Sequence, residues 1–194
     1  MREVLLSETH YNALPSSLLQ TLKTLPFMES YEQVMVILNL LTFYPEFVSE
    51  NCIEVLGVSH EETVKHGSMF FFNNLSAEHQ KMPVLQSQWV TNILTEIPFE
   101  DKVNIKITYC GMRFNHPKKQ QIRLLFQDYF YEVNEERNPI RSFVLISDVS
   151  HLLKNDVVWF RIQYGKNNEY IKSYDFSTDK NQIMMLYPIE KKKY

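Results

Sequence analysis

The residue types needed for nucleophilic or acid–base chemistry are present, but their spacing matches no enzyme motif. Asp128, His151 and either Ser147 or Ser150 could form a nucleophilic triad, and His116 or His151 could act as a general acid or base. A triad is defined by geometry that a sequence does not give, and the chain has neither a G-x-S-x-G turn nor a Gly-rich oxyanion loop. We therefore predict that the chain is not an enzyme and keep a small-molecule enzyme as the least favoured alternative.

The histidines and cysteines do not predict a metal site. The stretch His60-Glu61-Glu62-Thr63-Val64 begins like the H-E-x-x-H motif of zinc hydrolases. However, Val64 stands where the second zinc-binding His must lie, one helical turn further on. Cys52 and Cys110 are far apart and belong to no paired motif, as expected of reduced thiols in a cytoplasm.

An acidic residue within an apolar strand face is a better candidate. One face of the predicted strand 122–133 carries Asp128 among Ile, Leu and Phe side chains, and a buried Asp needs a partner. On the preceding strand, Arg113 is predicted to share a face with Ile107 and Tyr109 and could supply that partner. The candidate pocket consists of Tyr109, Arg113, Phe126, Asp128 and Phe130. The alternative is that this ring-rich face is ordinary packed core.

Length, composition and charge exclude several functional classes. The 194 residues are 44% hydrophobic and 22% charged, which is typical of a globular domain and excludes disorder as the main state. Only 4 residues are Gly, which argues against a Gly-rich phosphate-binding enzyme. The net charge of −3 gives no overall attraction to nucleic acid, so we expect no direct binding to it by this chain. No apolar run approaches a membrane span or signal peptide, which favours a cytoplasmic protein without membrane contact.

The residue patterns predict an α+β fold with three segments. Residues 1–32 form a helical flank, 33–153 the main domain, and 154–194 a C-terminal hairpin and linker. Apolar residues predict strands over 34–38, 43–48, 103–109, 122–133 and 140–149, followed by a hairpin of 157–164 and 169–176. Three helices are predicted. The first covers 51–56 and ends at Gly57, the second begins after Ser59 as its N-cap, and the third covers 77–97.

The order of these elements, together with local motifs, resembles a PAS domain over about residues 33–153. Residues 47–62 look like the PAS stretch in which a strand is followed by a short helix that ends in Leu-Gly and by the start of another helix. The sequence Ser147-Asp148-Val149-Ser150 is similar to the D-I-T motif that closes many PAS domains. More narrowly, the chain resembles the sensory part of PAS-containing regulators that end in a LuxR-type helix-turn-helix.

The resemblance implies an antiparallel sheet with short helices on one face and a ligand pocket between them. It implies a sensory and dimerisation domain of a cytoplasmic transcription regulator that passes a ligand- or partner-induced change to a DNA-binding domain absent from this chain. A small-molecule ligand and a homodimer are therefore expected. Asp148 and Ser150 are the residues expected to couple the signal, because the D-I-T motif falls there.

The resemblance does not identify a cofactor, which stays unknown. Asn51-Cys52 is similar to the Asn-Cys pair of flavin-binding PAS photosensors, but the residues around it do not match that motif. His66 and His79 lie before the long strands, where haem-binding PAS domains have a His ligand, but no second feature supports haem.

One alternative from another functional class stays open: a protein-interaction module whose pocket is filled by its own side chains. Leu18, Leu22 and Leu25 recur on one helical face and could form a dimer contact, although a helix that covers the sheet is the simpler interpretation. The dimer interface is undecided between this helix and an exposed sheet face.

Overall fold

A computed structural model describes residues 33–102, 104–153, 155–166 and 170–176, together with the backbone of a short strand at 184–186. The predicted helical flank over residues 1–32, with its Leu stripe, lies outside the described residues.

Eight strands and four α-helices make up the described chain. The strands are β1 (Gln33–Asn39), β2 (Tyr44–Val48), β3 (Lys106–His116), β4 (Gln120–Val133), β5 (Pro139–Asp148), β6 (Trp159–Tyr164), β7 (Tyr170–Asp175) and β8 (Met184–Leu186). The helices are α1 (Cys52–Leu56), α2 (His60–His66), α3 (Ser68–Asn73) and α4 (Met82–Glu96), followed by a 3-10 turn at Phe99–Asp101.

The strands form one antiparallel sheet in the order β2-β1-β5-β4-β3-β6-β7-β8. The hairpins β1–β2, β3–β4 and β4–β5 join neighbours, and β5 returns to pair with β1, with Val36 opposite Val144. All four helices lie in the connection between β2 and β3. The predicted α+β class is therefore confirmed, as is the hairpin β6–β7, which continues the sheet beside β3. The boundary predicted at residue 153 stays a prediction.

The helices cover one face of the sheet, called the inner face here, and two apolar clusters fill the space between. The first packs α1 and Phe70 of α3 against β1 to β5, with Phe114 and Leu124 fully buried. The second packs α4 against β3 and β6, with Ile93 and Phe160 buried. Alternate residues of each strand enter these clusters because side chains along a strand point to opposite faces.

Local signals fix the short helices where the sequence predicts them. Gly57 ends α1 in the left-handed conformation at φ 73°, and a Cβ there would lie 2.7 Å from the His116 ring. Ser59 and Glu62 form a capping box at the start of α2: the Ser59 hydroxyl accepts the Glu62 N–H at 3.2 Å, and the Glu62 carboxylate accepts the Ser59 N–H at 3.3 Å.

The predicted helix over 77–97 is shorter than expected. Helix α4 begins at Met82, with Pro83 in its first turn, and residues 77–81 form turns. Proline lacks the N–H that an interior helical residue donates, so it is suited to a first turn. The apolar residues that recur every four positions in this segment, Leu85, Trp89, Ile93 and Ile97, predict one buried helical face. That face is only partly buried, because Ile93 is buried whereas Leu85 is 45% exposed.

Candidate functional site

A cavity of about 240 Å³ lies between the inner face of the sheet and helices α3 and α4. Its floor is formed by inward-facing residues of the central strands, with Phe126, Asp128 and Phe130 of β4 at its centre. On β3, Ile107 pairs with Asp128 and Tyr109 pairs with Phe126, so these side chains meet across the two strands. Four of the five predicted pocket residues, Tyr109, Phe126, Asp128 and Phe130, therefore lie together at this cavity.

The helical wall of the cavity comes from one face of each helix. Helix α4 contributes Pro83, Gln86, Ser87, Val90 and Thr91, whose spacing of three and four places them on one face. Three of these five side chains are polar. Hydrophobic periodicity therefore does not reveal this face of α4. Small and polar residues recurring at helical spacing are the sequence signal that could have identified it.

Aromatic rings dominate the rest of the lining. Phe71 of α3 meets Phe126 of β4 edge to face, with ring centroids 6.1 Å apart. Phe43, Phe72, Phe130 and Tyr109 also line the cavity. None of the lining residues in the described part of the chain is Lys, Arg or His. The cavity is therefore apolar, with a small number of neutral polar groups and one carboxyl group.

Asp128 is that carboxyl group, and it is poorly satisfied. Its Oδ1 is buried and has no hydrogen-bond partner among the described residues. Burial raises the pKa of Asp128 to about 7, and the Ser142 hydroxyl on β5 partly opposes that rise. The Ser142 hydroxyl is itself buried, and its geometry falls short of a formed hydrogen bond. Because Asp128 lines the cavity, its carboxyl group is a candidate partner for a ligand that donates a hydrogen bond.

Tyr109 and Gln86 form the neutral polar group beside Asp128. Burial raises the pKa of Tyr109 well above its ordinary value, and the nearby Asp128 raises it further. The nearby Gln86 side chain of α4 partly opposes these effects. Tyr109 is therefore a neutral phenol at the cavity.

Arg113 is not part of the cavity, and the prediction that it shares a face with Ile107 and Tyr109 is wrong. A β-bulge between Cys110 and Met112 shifts the alternation by one residue, so Met112 lines the cavity instead. Gly111 in this bulge has φ 92°, and a Cβ there would lie 2.0 Å from the Val157 carbonyl oxygen. A glycine inside a strand is the sequence signal of such a bulge.

On the outer face, Arg113 forms ion pairs rather than contacting Asp128. Its guanidinium lies 3.0 Å from Glu78 and 2.6 Å from Asp156. Its backbone N–H donates to His79 Nδ1 at 2.8 Å. Burial and the Arg113 charge lower the pKa of His79, which suits a neutral ring that accepts this hydrogen bond.

Asp148 and Ser150 form a polar cap at the end of β5 and do not line the cavity. The Asp148 carboxylate accepts from the Ser150 N–H at 3.0 Å and from Lys119 Nζ at 3.1 Å. The Ser150 hydroxyl donates to Asp148 at 2.5 Å and accepts the Arg123 N–H of β4 at 2.8 Å. Partial burial favours a higher pKa for Asp148, but the hydrogen bonds from Ser150 and Lys119 outweigh it and hold the pKa below its ordinary value.

The residues weighed for catalysis are not brought together around the cavity. Asp128 faces the cavity, whereas Ser147 alternates with the inward-facing Ile146 and points to the opposite face. His116 Nδ1 accepts the backbone N–H groups of Lys118 and Lys119 at 3.0 Å each, so this ring orders the β3–β4 turn.

Among the described residues, no three His, Cys, Asp or Glu side chains form a group that could hold a metal ion. Cys52 and Cys110 are both buried free thiols, and burial raises the pKa of each. Thiols in this state are poor nucleophiles.

None of the helices in the described part of the chain combines the length and apolarity that crossing a membrane requires.

The sequence matches no family model, and no curated protein matches it.

Proposed function

We propose that this chain is a PAS-type sensory domain that binds a small molecule in the cavity between the inner sheet face and helices α3 and α4. The observation that carries the proposal is the apolar cavity of about 240 Å³ with one poorly satisfied carboxyl group, Asp128. Ligand sites are typically concave, mostly apolar and provided with a few polar groups, as this cavity is. The sheet order β2-β1-β5-β4-β3, with all the described helices between β2 and β3, supports the PAS assignment.

The size of the cavity favours a ligand. Protein interiors are packed as densely as organic crystals, whereas the apolar lining of this space of about 240 Å³ lacks packing contacts on the cavity side. A ligand that restores these contacts would stabilise the fold, which favours sensing over passive structure.

The proposed signal leaves through β4 and the cap at the end of β5. Asp128 at the cavity and Arg123 beside the cap belong to the same strand, and the Arg123 N–H is held by Ser150. A ligand that binds one arrangement of β4 better than another shifts the population towards it. In this proposal, Asp148 and Ser150 pass the shift to the chain beyond β5.

The proposed output is transcription regulation by a dimer, which rests on the LuxR-type resemblance. The net charge of −3 supports a role in sensing rather than in contacting DNA. A cytoplasmic location is part of the same proposal.

The test compares a cavity-filling variant with a matched surface variant of the same helix. Val90 lines the cavity, whereas Gln88 is exposed and does not. The neutral probe is n-propylbenzene, with binding followed by NMR titration of the full chain. Val90→Phe should weaken probe binding by at least about tenfold, since the new ring occupies the same space, and Gln88→Phe should leave it unchanged.

Equal probe affinity in Val90→Phe and Gln88→Phe would contradict the placement of the binding site in this cavity. A lowered melting temperature of Val90→Phe would indicate overpacking of a space that is already filled and would favour the interaction module.

A further inference from the structure

The cavity contains an ionisable carboxyl group without a positively charged partner. Asp128 is the one carboxyl group among the described lining residues, and Lys, Arg and His are absent from that lining. Arg113, the predicted partner of Asp128, lies on the other face of the sheet, so Asp128 faces the cavity without a cationic side chain beside it. An ionised carboxylate in an apolar site is costly unless a cation or several hydrogen-bond donors meet it.

The side chains around Asp128 cannot supply the positive charge that would balance an ionised carboxylate. Ser142 on β5 and Tyr109 on β3 interact with Asp128, and both side chains are neutral. The other polar residues of the lining, Ser68, Gln86, Ser87 and Thr91, are neutral as well. The Ser142 hydroxyl has no formed hydrogen bond, so it is free to turn and donate to the carboxylate. This arrangement can steady an ionised Asp128 but does not neutralise it, and the Asp128 side chain lines the space that a ligand would occupy.

The remainder of the lining sets the shape of the ligand. Phe126 and Phe130 flank Asp128 on β4, and Phe71 meets Phe126 edge to face from α3. Rings in these positions suit an apolar or aromatic body and also attract a nearby cation. Because a cavity of about 150 Å³ holds benzene, this one accommodates about ten non-hydrogen atoms.

We propose that the ligand is a small primary amine with an apolar or aromatic body of about ten non-hydrogen atoms, and that its ammonium group pairs with Asp128. This inference rests on the proposed sensory function and names the ligand class of the same cavity. An ammonium group supplies both the missing charge and the missing donor. A neutral alcohol supplies the donor alone, and an acid would place two like charges side by side.

The test uses three probes of matched size: 2-phenylethylamine, 2-phenylethanol and n-propylbenzene. Binding to the full chain is measured by calorimetry at about pH 8, where an alkylamine is protonated. The amine should bind at least about tenfold more tightly than the alcohol, because hydrogen bonds to charged groups are the stronger kind.

Asp128→Asn keeps the shape of the side chain and removes its charge. The affinity for 2-phenylethylamine should fall at least about tenfold, while the affinity for n-propylbenzene should not change. The matched control is Asp156→Asn, since Asp156 is exposed and outside the cavity, and it should change neither affinity. The comparison of amine with alcohol on the unmodified chain needs no variant and therefore tests the inference even if Asp128→Asn does not fold.

Different failures overturn different claims. Equal affinities for amine and alcohol, or full amine affinity in Asp128→Asn, would overturn the ligand class while leaving the cavity as a binding site. Failure of all three probes to bind would overturn the sensory function as well.

Discussion

At the scale of single residues, the carboxyl group of Asp128 makes the stability of the unliganded protein depend on pH. Its pKa is about 7 in the folded chain against an ordinary value of 3.8. Between these values the folded state holds a proton that the unfolded state has released, so this group lowers the free energy of unfolding as pH rises from about 4 to about 7.

We therefore predict that Asp128→Asn, which cannot ionise, lacks this contribution. The free energy of unfolding of the variant minus that of the parent should be larger at about pH 8 than at about pH 4. Urea unfolding at both pH values measures the difference, and contributions from His79 and His116, whose pKa values are lowered, cancel in it. A difference that does not change with pH would contradict the burial of this carboxyl group.

The buried Glu46 gives a second prediction at this scale. Arg141 donates to Glu46 at 2.8 Å and to Glu132 at 2.6 Å, and Glu46 is 3% exposed. Arg141→Met should lower the free energy of unfolding by about 3 kcal/mol, because it leaves a buried carboxylate without its cation. Lys172→Met breaks the more exposed pair with Glu96 and should cost less than about 1 kcal/mol. Equal costs in chemical denaturation would contradict this account.

At the scale of elements, the bulge in β3 decides which side chains reach the cavity. Gly111→Ala should destabilise the fold by about 3 kcal/mol or more, since the new methyl group would meet the backbone of Val157 and the φ of 92° is unfavourable for alanine. Thermal and urea unfolding measure the loss. A variant as stable as the parent would show that β3 pairs with β6 without this close approach.

The cap at the end of β5 gives the prediction that separates binding from signal transmission. Combined Asp148→Ala and Ser150→Ala substitutions remove the bonds that hold Lys119 and the Arg123 N–H. We expect unchanged amine affinity, because neither residue lines the cavity, but loss of the ligand-induced change in hydrogen exchange at residues 149–152. A ligand response that survives in the double variant would remove Asp148 and Ser150 from the coupling role.

Strand alternation and capping chemistry made much of this architecture predictable. The strands β4 and β5, the hairpin β6–β7 and the stop at Gly57 all follow from local patterns. The placement of Arg113 could not follow from simple alternation, because a single extra residue reverses every side chain beyond it. The face of α4 that lines the cavity was not predicted, because hydrophobic periodicity identifies helix faces that pack against apolar side chains. This face is mostly polar and borders the cavity instead.

At the scale of the whole molecule, the sheet order makes a single scaffold of the cavity and the cap. β4 lies between β5 and β3, and it contacts both the ligand space and the polar end of β5. The pairing of β1 with β5 could not be predicted from any local pattern, because pairing across about a hundred residues leaves no periodic signal.

Native mass spectrometry of the chain purified from its own cells tests the central claim most directly. We predict a mass above that of the polypeptide, with the excess released on denaturation and lost in Val90→Phe. A released molecule with a primary amine would support the assignment of Asp128 as its partner. The bare polypeptide mass, in a chain that also fails to bind the three probes, would contradict the account of this cavity as a sensory site.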